Sequence, residues 1–437
     1  MDIETTSLRT ACADLNGQMR GKRLQAADAA KLEFVGQRMP LSALSLDIWG
    51  CDIEGSPLVL ASGDADGQMR LTERGPVPMP WLDPAATLMP MWMFTENGRP
   101  FDGCPRHALA RVLARFTKRG WKVTAATELE FTLVDISAGV LAAPCAPGTN
   151  RALHAGDINS VDALDAFAAF FDDLYAGAEA MGIAVQAAVS EAGVGQFELT
   201  LNHGPAIRVA DDTWLLKALV RGMARKHAMA ATFLAKPFLD DAGNGMHLHA
   251  SVTDTNGQNV FDNGLLSGSG TLRQMVAGCL SGMPGAMLIF APHASSYARF
   301  VPGSHAPTSA SWGYENRTTS LRIPAGDPAA RRFEHRMPGG DTNPYLVIAA
   351  ILGAALMGVE DELTPPEPII GNAYGQPLLK VPIDWDEAIA RFETSPRMER
   401  IFPKLLVEML GRVKRQEQRL TAGLEHAEAA FRMHDRV

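Results

Sequence analysis

The sequence predicts an α+β fold, with a small sheet-bearing part over residues 1–104 and a larger part of strands and long helices over 105–437. Three observations carry this. Short segments with strict period-two alternation (TELEF, QFELTL, MHLHAS, RRFEHR) read as strands with one apolar and one polar face. Long amphipathic or wholly apolar stretches between them read as helices. The Pro-rich run RGPVPMPWLDPAATLMP then separates the two parts, just ahead of the first clear amphipathic helix.

In chain order, LSALSLDIWG and SPLVLAS predict a small N-terminal sheet, with a helix over about Ala26–Phe34. CPRHALARVLARFTKRG predicts a helix stopped by Gly120. WKVTAATELEFTLVD is a strand carrying Glu128 and Glu130 on one face, a pair that is either solvent-facing or held by a cation. VDALDAFAAFFDDLYAGAEAMG is a helix. VQAAVSEAGVGQFELTL is two strands around a glycine turn, with Glu191 closing the first and Gln196 and Glu198 sharing a face of the second. WLLKALVRGMARKHAMAATF is a helix. In KPFLDDAGNGMHLHASV, His247 and His249 alternate with Met246 and Leu248, and a lone HxH is more often a structural pair than a ligand site. Helices are predicted over Thr271–Ile289 and NPYLVIAAILGAALMGVED, then a loop at IGNAYGQPLLKVP and a helical tail. In RRFEHR, Arg332, Glu334 and Arg336 share a face, which in isolation reads as a solvated edge strand.

Composition narrows the function. A net charge of −9 offers no basic field for nucleic acid or an anionic membrane, and mildly favours a cationic partner. Five scattered cysteines without a CxxC pair fit a reducing compartment. The opening MDIETTSLRTACADLNG has no basic start followed by an apolar run, and no stretch approaches the roughly 18 apolar residues of a membrane span. The expected location is the cytoplasm.

Taken jointly, the strands present Glu128, Glu130, Glu191, Glu198, Glu334 and His247 beside Arg299, Arg317, Arg322, Arg332 and Arg336. Carboxylates converging in one cleft require hard divalent cations, Mg²⁺ or Mn²⁺. Planar arginine donors suit phosphates and carboxylates, and metals with arginines point to phosphoryl transfer. No GxxxxGK[ST] or GxGxxG phosphate loop is present, so the nucleotide site is of another kind.

TELEF, SEAGVGQFEL, KPFLDDAGNGMHLHAS, SSYARFVPG, NRTTSLRIP, RRFEHR and NPYL occur in an order that resembles the glutamine synthetase family. The resemblance implies a glutamine synthetase-like fold: an N-terminal β-grasp domain, then a catalytic domain whose curved antiparallel sheet forms a half-barrel flanked by helices. It implies ATP as a substrate, two or three Mg²⁺ or Mn²⁺ ions per site, and a homo-oligomer, commonly a dodecamer of two hexameric rings with intersubunit sites. Glu130, Glu191 and Glu198 would hold one metal, and Glu128, His247 and Glu334 another. Arg317 and Arg332 would stabilise the transferring phosphoryl group. His249, Ser251, Arg322 and Arg332 would contact ATP, while Arg299, Arg336 and Gly243 would bind glutamate.

Two departures bear on the nucleophile. Ammonia-using members carry PGYEAP where this chain has PGSHAP, so His305 stands where a glutamate traps ammonium, and neutral imidazole cannot supply that negative charge. Asp47 matches the family's ammonium-site aspartate only loosely, and Ala242 replaces an asparagine near the glutamate amino group. DLNGQMRGKR, SGDADG, SWGYENRTTSLRIPAG and RRFEHRMPGGDTNPYL are similar to γ-glutamylpolyamine and γ-glutamylmonoamine synthetases. The expectation is an ATP-dependent ligase of glutamate with an amine or polyamine. The alternatives are a glutamine synthetase using ammonia and a catalytically silent nitrogen sensor. Trp312 either lines an amine tunnel or packs in the core.

Overall fold

The computed structural model describes residues 5–149 and 151–437. The N-terminal part contains β1 (Ser7–Ala13), β2 (Met19–Gln25), α1 (Ala29–Val35), β3 (Gln37–Pro40), β4 (Asp66–Leu71), β5 (Val77–Pro78) and β6 (Ala86–Phe94). Its sheet runs β2-β1-β6-β4-β3 with β5 beside β6; β1 and β6 are parallel and the other pairs antiparallel. Leu8, Cys12, Met69, Met89 and Met93 fill the core between this sheet and α1.

The larger part follows with α2 (Pro105–Lys118), β7 (Lys122–Val134), a hairpin of β8 (Cys145–Ala146) and β9 (Arg151–Ala152), α3 (Val161–Asp165), α4 (Ala168–Ala180), β10 (Val185–Ser190), β11 (Gln196–Leu201) and β12 (Gly204–Pro205). Then come α5 (Ala206–Lys226), β13 (Ala230–Thr232), β14 (Met246–Thr253), α6 (Gly270–Phe290), β15 (Trp312–Tyr314), β16 (Leu321–Ile323), β17 (Phe333–His335) and α7 (Pro344–Glu360). Helices α8 (Trp385–Thr394), α9 (Pro396–Ile401), α10 (Lys404–Thr421) and α11 (His426–Met433) close the chain. A nine-stranded sheet runs β10-β11-β7-β14-β17-β16-β15, with β12 and β13 paired to β7. Only β15 and β16 run parallel within it. The long curved sheet flanked by helices is the predicted fold class.

The alternation read in TELEF is physical. Val123, Ala125, Thr127, Leu129 and Phe131 are buried on one face of β7, and the carboxylates lie half-buried on the other. Helix α7 is buried from Pro344 to Gly358, as its continuous apolar character requires. It packs on α6 at two glycines: a Cβ on Gly278 would lie 2.2 Å from the Ala354 carbonyl oxygen, and one on Gly358 2.0 Å from that of Gln274.

Four readings differ from the structure. The small N-terminal sheet exists, but LSALSLDIWG and SPLVLAS do not supply its strands: they form short 3-10 turns and loop, with Leu44 and Ile48 fully buried as anchors, and the strands come from the segments around them. The helix expected through VDALDAFAAFFDDLYAG breaks into α3 and α4, with Phe167 leaving helical geometry as its ring enters the core. Helix α5 starts earlier than WLLKALV because Asp211 and Asp212 are buried, which hides their face from a hydrophobicity pattern. Asp211 accepts two 2.8 Å hydrogen bonds from Arg106 and a third from the Tyr345 hydroxyl, tying α2, α5 and α7 together. Finally, β17 is not a solvated edge; it lies between β14 and β16, with Glu334 only 1% exposed.

The two parts are joined by polar groups. Asn343 donates to the Asp14 carbonyl and Trp214 to the Gly17 carbonyl, both at 2.8 Å. Glu417, buried on α10, accepts from Lys414, Asn16 and the Ile48 amide, each at 2.8 Å. No helix among the described residues is long and apolar enough to cross a membrane.

Candidate active site

Strand register assembles the site from distant segments. On adjacent strands Glu198 lies opposite Glu130, and His247 opposite Glu128. Across the next pairs, His249 and Arg322 both lie opposite Glu334. All project from the face opposite the apolar core. Directly opposed like charges destabilise a sheet unless a cation lies between them, so Glu130 and Glu198 mark a place for one.

Two constellations follow. Ligand atoms of Glu128, His247 and Glu334 lie within 4.8 Å of one another, as do those of Glu130, Glu198 and His247. His247 Nδ1 is 2.9 Å from Glu128 and 3.8 Å from Glu334, and its Nε2 is 3.9 Å from Glu130. Glu191, at the end of β10, falls outside the second group, and His247 stands in it instead. Four carboxylates, Glu128, Glu130, Glu198 and Glu334, with one shared imidazole fit hard divalent cations.

The electrostatics are those of a site short of positive charge. Burial, with Glu128, Glu130, Glu191 and Glu334 nearby, pushes Glu198 up to about 9. Burial with Glu130 and Glu128 raises Glu191 to about 7, and Arg317 opposes that rise. Burial also works against the charge on Glu128, but hydrogen bonds from His247 and His249 outweigh it and hold the carboxyl low. Glu334 is likewise held down at about 2, chiefly by Arg336 and the two histidines against its burial.

Arginines flank this face on one side. Arg336 and Arg322 reach the two oxygens of Glu334 at 2.5 and 2.8 Å, and Glu315 takes the other end of Arg322 at 3.1 Å. Arg332 donates to His249 at 3.3 Å. Arg299, 5% exposed, donates to the Met337 carbonyl at 2.9 Å. Two glycines let the chain approach these groups. A Cβ on Gly245 would lie 2.7 Å from an Arg299 nitrogen and 3.2 Å from His247, and the Gly245 amide donates to Glu130 at 2.7 Å. A Cβ on Gly243 would strike the Ala235 carbonyl at 2.3 Å and lie 3.2 Å from Arg299. Arg317 is exposed on the turn between β15 and β16.

A cleft of about 920 Å³ opens beside Glu128 and is lined by His249, Ser251, Asn259 and Arg332. Its size suits a nucleotide. His305 sits on the exposed 301–305 loop with φ +59°, and Tyr374 anchors the following residue by a 2.9 Å bond to the Ala306 carbonyl. Asp47 is fully buried and accepts from the Trp49 and Cys51 amides and from Gln416, so it holds its own loop. Trp312 is a core residue whose indole donates to the Pro366 carbonyl at 2.7 Å. Sequence reasoning missed Glu315, the partner of Arg322, because WGYENR reads as an ordinary turn. It also missed Asp341, buried behind Arg299, which accepts from Ser296 at 2.6 Å.

Comparison with known proteins agrees with this geometry. Residues 102–430 match the model of the glutamine synthetase catalytic domain. The chain is 40% identical over 392 residues to γ-glutamylputrescine synthetase PuuA of Escherichia coli, covering 89% of this chain and 83% of that protein. It is 34% identical to a glutamate–isopropylamine ligase of a Pseudomonas species, covering 77% and 74%. Among solved structures, a GmaS/ADP complex superposes with a TM-score of 0.84 at 26% identity, covering 96% of this chain and 95% of the other. The ordered motifs, the half-barrel of carboxylates and these matches lead to one conclusion: the chain belongs to the glutamine synthetase family, in its glutamate–amine ligase branch.

Proposed function

We propose that this protein is an ATP-dependent ligase that joins the γ-carboxylate of glutamate to an amine through a γ-glutamyl phosphate. The observation that carries the proposal is the cross-strand register of Glu198, Glu130, Glu128, His247 and Glu334, a metal-demanding carboxylate face bordered by arginines and a nucleotide-sized cleft. The similarity to two amine ligases supports the choice of nucleophile.

The roles are those that the family resemblance implies. Glu130, Glu191 and Glu198 on one side, and Glu128, His247 and Glu334 on the other, would hold Mg²⁺ or Mn²⁺. These ions supply charge neutralisation for phosphates and carboxylate. His249, Ser251 and Arg322 receive ATP. Arg299 and Arg336, beside Gly243, take the glutamate carboxylates. Arg332 and Arg317 stabilise the phosphoryl group as it passes to the γ-carboxylate oxygen. The amine nitrogen then attacks the carbonyl carbon, the C–O bond to phosphate breaks, and the proton lost from nitrogen passes to His305. The buried, fully bonded Asp47 supports the same nucleophile, since it offers no free carboxylate to ammonium.

We place the domain boundary between residues 104 and 105, ahead of α2. The exposed Phe34, Val35 and Leu60 of the N-terminal part support self-association of the chain, and the ring-type dodecamer of two hexamers is what the family resemblance implies. The five free cysteines support a cytoplasmic setting. ADP release with glutamate and ammonium, alkylamines, ethanolamine and polyamines tests the function. Turnover with amines well above that with ammonium is expected. Strong turnover with ammonium alone would refute it.

A further inference from the structure

We infer that Glu315 is a positioning residue for the nucleotide side of the site: it fixes Arg322 against Glu334 and ties down the segment that forms one rim of the cleft; this rests on the ligase reading above. Glu315 directly follows β15 and does not itself line the cleft. Its half-exposed carboxylate accepts from Arg322 Nη2 at 3.1 and 3.3 Å and from the Ala325 amide. The other end of the same guanidinium, Nη1, reaches Glu334 at 2.8 Å. Arg322 therefore bridges a buried carboxylate of one ligand group and an outer carboxylate that belongs to neither group.

Both contacts of Glu315 act on the site. A guanidinium is a planar fork that fits a carboxylate with two nitrogens at once. With Nη2 held by Glu315, Arg322 puts only one nitrogen on Glu334, whose other oxygen faces Arg336 and His247. Without Glu315, both nitrogens are free to turn onto Glu334 and take lone pairs that a metal ion would use. The bond to Ala325 acts at the cleft. Ala325 begins the stretch that supplies Ala329, Ala330 and Arg332 to the lining. Asn259 holds the far part of this stretch by donating to the Ala329 and Arg331 carbonyls at 3.0 and 2.7 Å. Glu315 is the clamp at its near end.

The backbone points the same way. Glu315 has φ +50°, in the left-handed region where glycine fits and a side chain is strained. The turn does not need this carboxylate to keep its course. Asn316 anchors it by donating to the Ile369 and Gly371 carbonyls at 3.1 and 2.8 Å, and Trp312 is buried at its base. Strain retained in a turn that its neighbours already hold marks a functional position rather than a stabilising one.

The test uses the full-length protein and its Glu315→Ala, Glu315→Gln and Glu315→Gly variants. KM for ATP, the free Mg²⁺ giving half-maximal rate, KM for glutamate and melting temperature are measured, and calorimetric binding of ATP with Mg²⁺, without amine, gives the same comparison apart from turnover. Glu315→Ala should raise KM for ATP and the Mg²⁺ requirement by about three- to tenfold, as for hydrogen bonds to a half-exposed carboxylate, with kcat and KM for glutamate changing less than about twofold. Glu315→Gln keeps an acceptor oxygen and should recover most of the loss. Glu315→Gly should match Glu315→Ala in KM for ATP yet melt higher, because it removes the left-handed strain. Unchanged ATP and Mg²⁺ dependence in Glu315→Ala, or an equal rise in KM for glutamate, overturns the inference and leaves the ligase reading intact. A wild type that binds ATP but ligates no amine overturns the ligase reading, and the calorimetric comparison then decides the role of Glu315.

Discussion

Replacing Glu198 with Gln is expected to stabilise the metal-free protein while removing its response to metal. Glu198 and Glu130 face each other across β11 and β7, with ligand atoms within 4.8 Å. Two unit charges at that separation, at an effective dielectric constant of about 20, repel by about 3 kcal/mol. Glutamine keeps the volume and removes the charge, so the metal-free variant should gain about 1–3 kcal/mol, the lower end allowing for partial protonation in the wild type. The sign with pH follows from the raised carboxyl. Its pKa in the folded state is about 9 against an ordinary 4.5, so folding binds a proton and the stability contributed by this group declines as pH rises from 4.5 towards 9. In Glu198→Gln that decline should flatten. The assay is thermal or denaturant unfolding from pH 5 to 9, with chelator or with Mn²⁺. Wild-type protein should gain most from Mn²⁺ at the high end, and the variant should gain little and lose ligase activity. A metal-free variant less stable than wild type, or one stabilised by Mn²⁺ as fully as wild type, would refute the placement of a cation between these strands.

Three further outcomes are expected. Gly245→Ala puts a methyl 2.7 Å from an Arg299 nitrogen and 3.2 Å from His247; both are side-chain ends that can shift, so melting should change little while KM for glutamate rises and kcat falls. Asp211→Asn removes the charge that pairs with buried Arg106 and should cost about 3–5 kcal/mol in denaturant unfolding. His107, stacked on Trp92 at 4.4 Å, is held near 4 by burial, with the Arg106 cation also lowering it. The unfolded chain takes up a proton near 6.5, so stability should be complete above that pH and fall between about 6.5 and 4, and His107→Phe should remove part of that fall.

The sequence by itself determined the local elements and the chemical character of the site. Period-two alternation gave β7, β11, β14 and β17 with the correct face for every carboxylate and imidazole, because side-chain direction in a strand is fixed by backbone geometry alone. Continuous apolar character was enough for α6 and α7. Motif order was enough for the family. What lay between strands was not legible. RRFEHR reads alone as a solvated edge because the partners of Glu334 outside the segment, Arg322 and His247, are encoded elsewhere in the chain. Asp47 resembles an ammonium-site acid and Asp211 carries no signal at all in the sequence, yet each is consumed by donors on other elements, Gln416 for the first and Arg106 with Tyr345 for the second. Only the tertiary structure decided that Trp312 packs in the core, and that His247 stands in both ligand groups while Glu191 lies beyond the second. The physical reason is common to all of them: pairing register and the satisfaction of buried charge are set between segments, whereas sequence periodicity reports only what each segment does alone.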